Sequence, residues 1–148
     1  MIKKPNEKEI EQLVSVYKEA FPVHNLFQKS EEEVTDYLKT VSGEFLVAVE
    51  DGKVVGGALV VINKPNPDHT LGKIKHIAVA KDYQHKGIGT ELLKEAEKII
   101  GKGKVEIHVS ENEKVALEFY KSNGYEVEGE LKSHYRMGET CYILGKVI

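Results

Sequence analysis

Apolar residues at Ile10, Leu13, Val14, Val16 and Tyr17 recur at the spacing of a helix face, and Asn6 with Glu9 three residues on is the capping-box pattern that opens a helix. The pattern predicts a helix ending near Ala20, after a short strand at Ile2 to Lys4. "SEEEVTDYL" repeats the signal with Ser30 as cap and Glu33 at the third helical position, so a second helix runs to about Thr40. Between them, "FPVHNLFQK" reads as a loop rich in large side chains. "EFLVAVEDGKVVGGALVVI" then carries two β-rich runs around Asp51-Gly52, a strong hairpin signal, and "NKPNPDH" reads as a loop from its prolines and asparagines. "GKIKHIAVA" follows as a strand, "IGTELLKEAEKII" as an amphipathic helix stopped by Gly101 and Gly103, and "KVEIHV" as an alternating strand. The chain closes with a helix at "EKVALEFYKSN", stopped by Gly124, and two strands at "YEVEGEL" and "TCYILGKVI".

That order implies an α/β (α+β) fold. Strand, helix and strand from Lys73 to Val109 are long enough for a right-handed crossover joining parallel strands, set among hairpins that pair antiparallel. The expected sheet is mixed and mostly antiparallel, with about six to seven strands, a central parallel pair and four flanking helices.

Composition narrows the class. At 148 residues the chain is expected to form one domain over 1–148. With 30% charged residues and a formal net charge of -3, it has no general basic field for nucleic acid. Its apolar runs fall far short of a spanning helix, and the start "MIKKPNEKEI" has no apolar signal-peptide core. Cys141 is the one cysteine, so no internal disulfide forms. The expectations are a cytoplasmic protein, monomer or homodimer, with no nucleic-acid or membrane partner.

The segment "DYQHKGIGTELL" concentrates the chemistry. Two glycines stand one residue apart at the mouth of a helix, where glycine costs roughly 0.5–1 kcal/mol relative to alanine. A P-loop would need a lysine after Gly89, and a dinucleotide fingerprint a third glycine where Leu92 stands. What remains is Gln84-x-x-Gly87-x-Gly89 between a strand and a helix, where free N–H groups and the helix dipole favour an anion such as a diphosphate. Lys81, Lys86 and His85 add local positive charge. The alternative is a glycine-rich start to a well-packed helix.

"HIAVAKDYQHKGIGTELLKEAEK" resembles the acetyl-coenzyme A motif of the GNAT acetyltransferases, and "ALEFYKSNGYEVEGE" resembles the second motif of that superfamily. The order of elements agrees along nearly the whole chain. The resemblance is nearest to the ribosomal-protein/N-terminal alanine acetyltransferase branch. The tail "HYRMGETCYI" is similar to that branch's tyrosine followed by Gly-Glu-Asp-Ala-Tyr, with Thr140 and Cys141 where the pattern has Asp and Ala. The resemblance implies acetyl-CoA as co-substrate and no metal. It further implies that backbone groups of Ile77, Ala78 and Val79 bond the pantetheine arm. In the same way the turn Gln84, His85, Lys86, Gly87, Ile88, Gly89 and Thr90 holds the diphosphate, and the N–H of Ala78 or Val79 polarises the thioester carbonyl.

Asn112 stands one position early for the family's asparagine, since Glu113 lies three residues before Ala116; it is a pantetheine contact or a helix cap. Tyr120 matches the family tyrosine that borders the cofactor and protonates the departing thiolate. On residues alone, Val115, Ala116, Phe119 and Tyr120 also make one apolar helix face. Val105, Ile107 and Val109 alternate with Glu106, His108 and Ser110, so one face of that strand is wet. His108 occupies the place of the branch's glutamate, about twelve residues before the tyrosine. It is a general base or a solvated strand residue with water as base, and Lys75 and His76 are secondary candidates. These readings give an N-acetyltransferase moving acetyl directly from acetyl-CoA to a primary amine, a peptide N-terminus or a small molecule. The loop 21–29 and the tail 134–138, including Tyr135, hold the acceptor. The alternative is a non-catalytic acyl-CoA-binding or sensing domain with a protein partner.

Overall fold

The computed structural model describes residues 1–64 and 67–148. Pro65 and Asn66 of the "NKPNPDH" loop lie outside them, and strand structure extends through Asn63 and Lys64, which the sequence assigned to that loop. The chain forms two compact units, Met1–Val61 with His76–Ile99, and Ile62–Lys75 with Ile100–Ile148.

In the first unit, β1 (Ile2–Lys3) leads to α1 (Glu7–Ala20), whose start is a complete capping box. The Asn6 side chain accepts the Glu9 N–H at 2.9 Å while the Glu9 carboxylate accepts the Asn6 N–H at 3.0 Å. A cap of this kind stabilises by roughly 0.5–2 kcal/mol. α2 (Glu31–Thr40) is capped by Ser30, as its sequence predicts. The loop expected between them contains a turn of 3₁₀ helix, Asn25–Gln28, because His24 Nδ1 accepts the Leu26 N–H and Lys18 Nζ donates to the Phe27 carbonyl. α1 and α2 bury Leu13, Val14, Tyr17, Val34 and Leu38 with Phe27 against Phe45, Val47 and Leu59 of β2 (Glu44–Glu50) and β3 (Lys53–Lys64). The β2–β3 turn has Asp51 and Gly52 both at positive φ, 52° and 74°, the geometry that matches strand twist in a two-residue hairpin.

The second unit holds the start of β4 (Thr70–Val79), then β5 (Gly103–Ser110), α4 (Lys114–Ser122), β6 (Glu126–Lys132) and β7 (Thr140–Val147). α3 (Ile88–Ile100) precedes β5 in the chain. β4 and β5 are parallel over Thr70↔Gly103 to Lys73↔Glu106, and both strands run on beyond that ladder. Gly103, expected as a second helix stop, is instead the first residue of β5. Its φ is +150°, and a Cβ there would lie 2.0 Å from the Thr70 carbonyl oxygen, so the parallel pair starts only with glycine in place. β7 pairs antiparallel with both β5 and β6, giving a seven-stranded mixed sheet in the order β1-β2-β3-β4-β5-β7-β6. The α/β arrangement with four helices and a central parallel pair agrees with the sequence expectation.

Two expectations fail locally. Val115, placed on an apolar face of α4, is 82% exposed, because it lies in the first turn of that helix. Ser110, placed on the wet face of β5, is buried and knits the turn before α4: its Oγ accepts the Asn112 N–H, and its N–H donates to the Glu113 carboxylate.

Candidate active site

The turn ahead of α3 is built from backbone. A short 3₁₀ segment, Lys81–Tyr83, ends β4, and Gln84 then folds its side-chain amide back to donate to the Val79 carbonyl at 3.0 Å. His85 and Gly87 both sit in the left-handed region, at φ 63° and 84°, and the exposed space over Gly87 would admit a Cβ without contact. The first intrahelical bond runs from Glu91 N–H to the Gly87 carbonyl, 3.0 Å, so the N–H groups of Ile88, Gly89 and Thr90 precede the helical ladder and have no acceptor within it. Anions such as a diphosphate are bound by this combination of successive N–H donors and a helix's positive end. Lys86 Nζ and Lys53 Nζ each lie 5.2 Å from the centre of the Tyr83 ring, which holds two cations beside the turn. Ile88 is buried and anchors the helix, while His85, Lys86 and Gln84 are exposed.

The end of β4 carries a feature that the sequence does not announce. His76 has φ 53° in mid-strand, a conformation that costs a non-glycine residue of order 1–3 kcal/mol and persists where its surroundings hold it. Here Tyr37 OH and His76 Nε2 are 2.9 Å apart, and the imidazole lies edge-on to the Phe27 ring at 5.1 Å. Burial raises the Tyr37 hydroxyl above its ordinary value. A left-handed residue inside a strand turns the peptide groups that follow it, here those of Ile77, Ala78 and Val79, the backbone expected to meet pantetheine. Lys75, beside it, is exposed.

In the second unit, Tyr120 is 5% exposed, and burial together with the negative charge of Glu113 pushes its hydroxyl well above the ordinary phenol value. It is therefore fully protonated at neutral pH. His108 stands in a chain of polar contacts: its Nε2 is 3.1 Å from a Glu106 carboxylate oxygen, its Nδ1 is 3.4 Å from Tyr135 OH, and Lys73 Nζ is 3.3 Å from the same Glu106 oxygen. Burial raises the Glu106 carboxyl, but hydrogen bonds from Lys73 and His108 outweigh it and leave the group below the ordinary carboxylate range. Asn112 does not cap α4, whose first flanking residue is Glu113; its side chain donates to Glu139 at 2.8 Å. Glu139 also takes two bonds from Arg136, at 2.9 and 2.7 Å, and this clamp shapes the tail that carries Tyr135.

Glu106 and Glu139 are the residues sequence reasoning passed over. Strand alternation does place Glu106 two residues from His108 on one face, a usable signal. No local rule ties Glu139 to Asn112, 27 positions away. Cys141 is buried, and burial raises its thiol.

A model of the acetyltransferase (GNAT) family matches residues 10–125. An N-alpha-acetyltransferase of Sulfurisphaera tokodaii is 32% identical over 122 residues, 74% of this chain and 72% of that protein. The crystal structure of a ribosomal-protein-alanine N-acetyltransferase from Brucella melitensis covers 100% of this chain and 99% of its own, at 20% identity and a TM-score of 0.76. Arabidopsis thaliana Naa50, in complex with the bisubstrate analogue CoA-Ac-MVNAL, covers 100% and 98% at 20% identity with a TM-score of 0.77. The chain belongs to the GNAT family of acetyltransferases. Among the described residues, no helix is long and apolar enough to cross a membrane.

Proposed function

We propose that the protein transfers the acetyl group of acetyl-CoA directly to the α-amine of a peptide or protein, within a ternary complex. The glycine turn at α3 binds the diphosphate, the peptide groups after His76 meet pantetheine and the thioester carbonyl, Tyr120 is the general acid and His108 the general base. The observation that carries the acceptor assignment is the contact of Tyr135, from the tail, with His108 on β5. It joins a proton acceptor to a segment read as acceptor-binding. Its support from outside is the named activity of the Sulfurisphaera tokodaii relative and the peptide analogue held by Naa50.

The chemistry follows from proton affinities. The amine must be neutral to attack, and an α-amine of ordinary pKa about 7.7–8.0 gives its proton to a histidine far more readily than a lysine amine near 10.4. As the nitrogen–carbon bond forms and the carbon–sulfur bond breaks, negative charge collects first on the carbonyl oxygen and then on sulfur. Tyr120 supplies the proton for sulfur. Its raised pKa does not oppose this, because a thiolate beside it is desolvated too and becomes more basic by the same cause. Cys141 offers no competing acyl-enzyme route, since a buried thiol with a raised pKa holds little thiolate.

Steady-state turnover of acetyl-CoA should give a much higher kcat/KM for peptides with free N-termini than for the same peptides blocked at the N-terminus and carrying internal lysines. Equal activity on blocked peptides, or better activity on polyamines, would reject the α-amine.

A further inference from the structure

We propose that Glu106 is a positioning residue that holds His108 protonated at Nε2, so that Nδ1, the nitrogen facing Tyr135, is the atom that receives the proton of the acceptor amine. The inference rests on the reading of His108 as general base and adds which nitrogen acts and what fixes it.

Glu106 and Lys73 are register partners in the parallel ladder, so the ammonium that holds the carboxylate is supplied by the neighbouring strand rather than by a mobile loop. With Lys73 and His108 both bonded to it, Glu106 is ionised at neutral pH. An ionised carboxylate only accepts hydrogen bonds, so the hydrogen in the 3.1 Å contact belongs to Nε2. A neutral imidazole with its proton on Nε2 has its lone pair on Nδ1. There Tyr135 OH donates across 3.4 Å, long for an O–H···N bond, from a residue that is 54% exposed. An incoming amine can replace that hydroxyl at small cost. The titratable groups facing the imidazole are Glu106 on its own strand, Tyr135, and His134, whose ring centre is 6.0 Å away, with Lys73 beyond the carboxylate.

The step balances. The amine nitrogen bonds to the acetyl carbon, the carbon–sulfur bond breaks, and the amine proton passes to Nδ1. The resulting imidazolium is stabilised by the Glu106 carboxylate until it releases a proton to solvent, while the departing thiolate takes its proton from Tyr120.

The test is the tautomer of His108 in the uniformly ¹⁵N-labelled full chain, read by NMR from the two ring nitrogen shifts above the histidine titration. The expected result is the Nε2–H form in the wild type and a mixture of tautomers in Glu106→Gln. In that variant kcat should fall about 10–100-fold, less than the roughly 10²–10⁴-fold typical of losing a general base outright. The KM for acetyl-CoA should stay within about twofold, because the residue touches the base and not the cofactor. A residue that only supported the fold would lower stability and leave the tautomer as it is in the wild type. A wild type with Nδ1–H dominant, or an Nε2–H form that persists undiminished in Glu106→Gln, overturns the positioning role while His108 stays essential. Wild-type turnover in His108→Ala overturns the base assignment itself, and the catalytic half of this proposal with it.

Discussion

The turn before α3 and the polar chain around His108 are built by opposite means. The turn works through peptide groups: Gly87 at φ 84°, the N–H donors of the first helical turn, and a Gln84 side chain that serves only to tie the backbone to Val79. The His108 network works through side chains brought from β4, β5 and the tail, each oriented by the next. A site made of backbone tolerates many side-chain identities but no bulky or negatively charged group in its concavity. A site made of linked side chains tolerates no break in the chain of contacts. The two should therefore fail in different ways when they are mutated, one in binding and the other in turnover.

The largest effect is expected at Tyr120, the side chain proposed as general acid. Tyr120→Phe keeps the buried ring and removes only the hydroxyl, so thermal stabilisation by acetyl-CoA should persist while kcat drops by about 10²–10⁴-fold, roughly 3–5 kcal/mol of transition-state stabilisation. Unchanged kcat would leave the acid as solvent and return Tyr120 to the core. Gly87→Glu should behave conversely. It places a charge in the anion turn and a side chain at positive φ, so it should erase a ligand stabilisation that amounts to about 2.7 kcal/mol at a hundredfold excess over Kd. Gly87→Ala separates the two causes, because it carries the backbone strain without the charge and should keep most of the stabilisation. A Gly87→Glu protein still stabilised by acetyl-CoA would break the backbone reading of the turn.

The same contrast explains what could be read in advance. Capping at Asn6 and Ser30, the Asp51-Gly52 hairpin and the α3 start are local or periodic signals, and those elements formed where their residues place them. The glycine turn was legible because backbone conformation leaves a trace in glycine placement. His76 at positive φ was not, since no residue of "KIKHIAV" requires it; the aromatic surroundings that hold it come from α1, α2 and the turn between them. Asn112 illustrates the limit from the other side. As a residue type it suits a helix cap, but a carboxylate far along the chain claims its amide, and pairings of that kind have no period to betray them.

The smallest effect, and the one that probes the tail's own construction, concerns Glu139. Its carboxyl is drawn from the ordinary 4.5 down to about 2, first by the Arg136 hydrogen bonds, then by Ser110 and Asn112 against an opposing burial effect. Because the folded value lies below the unfolded one, the stability this group contributes is complete above about pH 4.5 and is lost as pH falls toward 2. Urea unfolding of the wild type and Glu139→Gln should therefore differ by a constant amount from neutral pH down to about 5, with the difference shrinking through the interval to pH 2. The clamp is half-buried, with Arg136 the more accessible partner, so salt should narrow the gap only partly. Near neutral pH, Arg136→Met should lose about as much as Glu139→Gln, and the double variant little more, because each removes the same pair. The link to function is Tyr135, which the clamped tail presents to His108. If the tail's geometry matters to the acceptor, Glu139→Gln should raise KM for a peptide several-fold while leaving KM for acetyl-CoA unchanged. A stability gap that persists undiminished at pH 2.5 would show that Glu139 acts through packing rather than charge, and would remove the tail from the set of side chains joined by ionised partners.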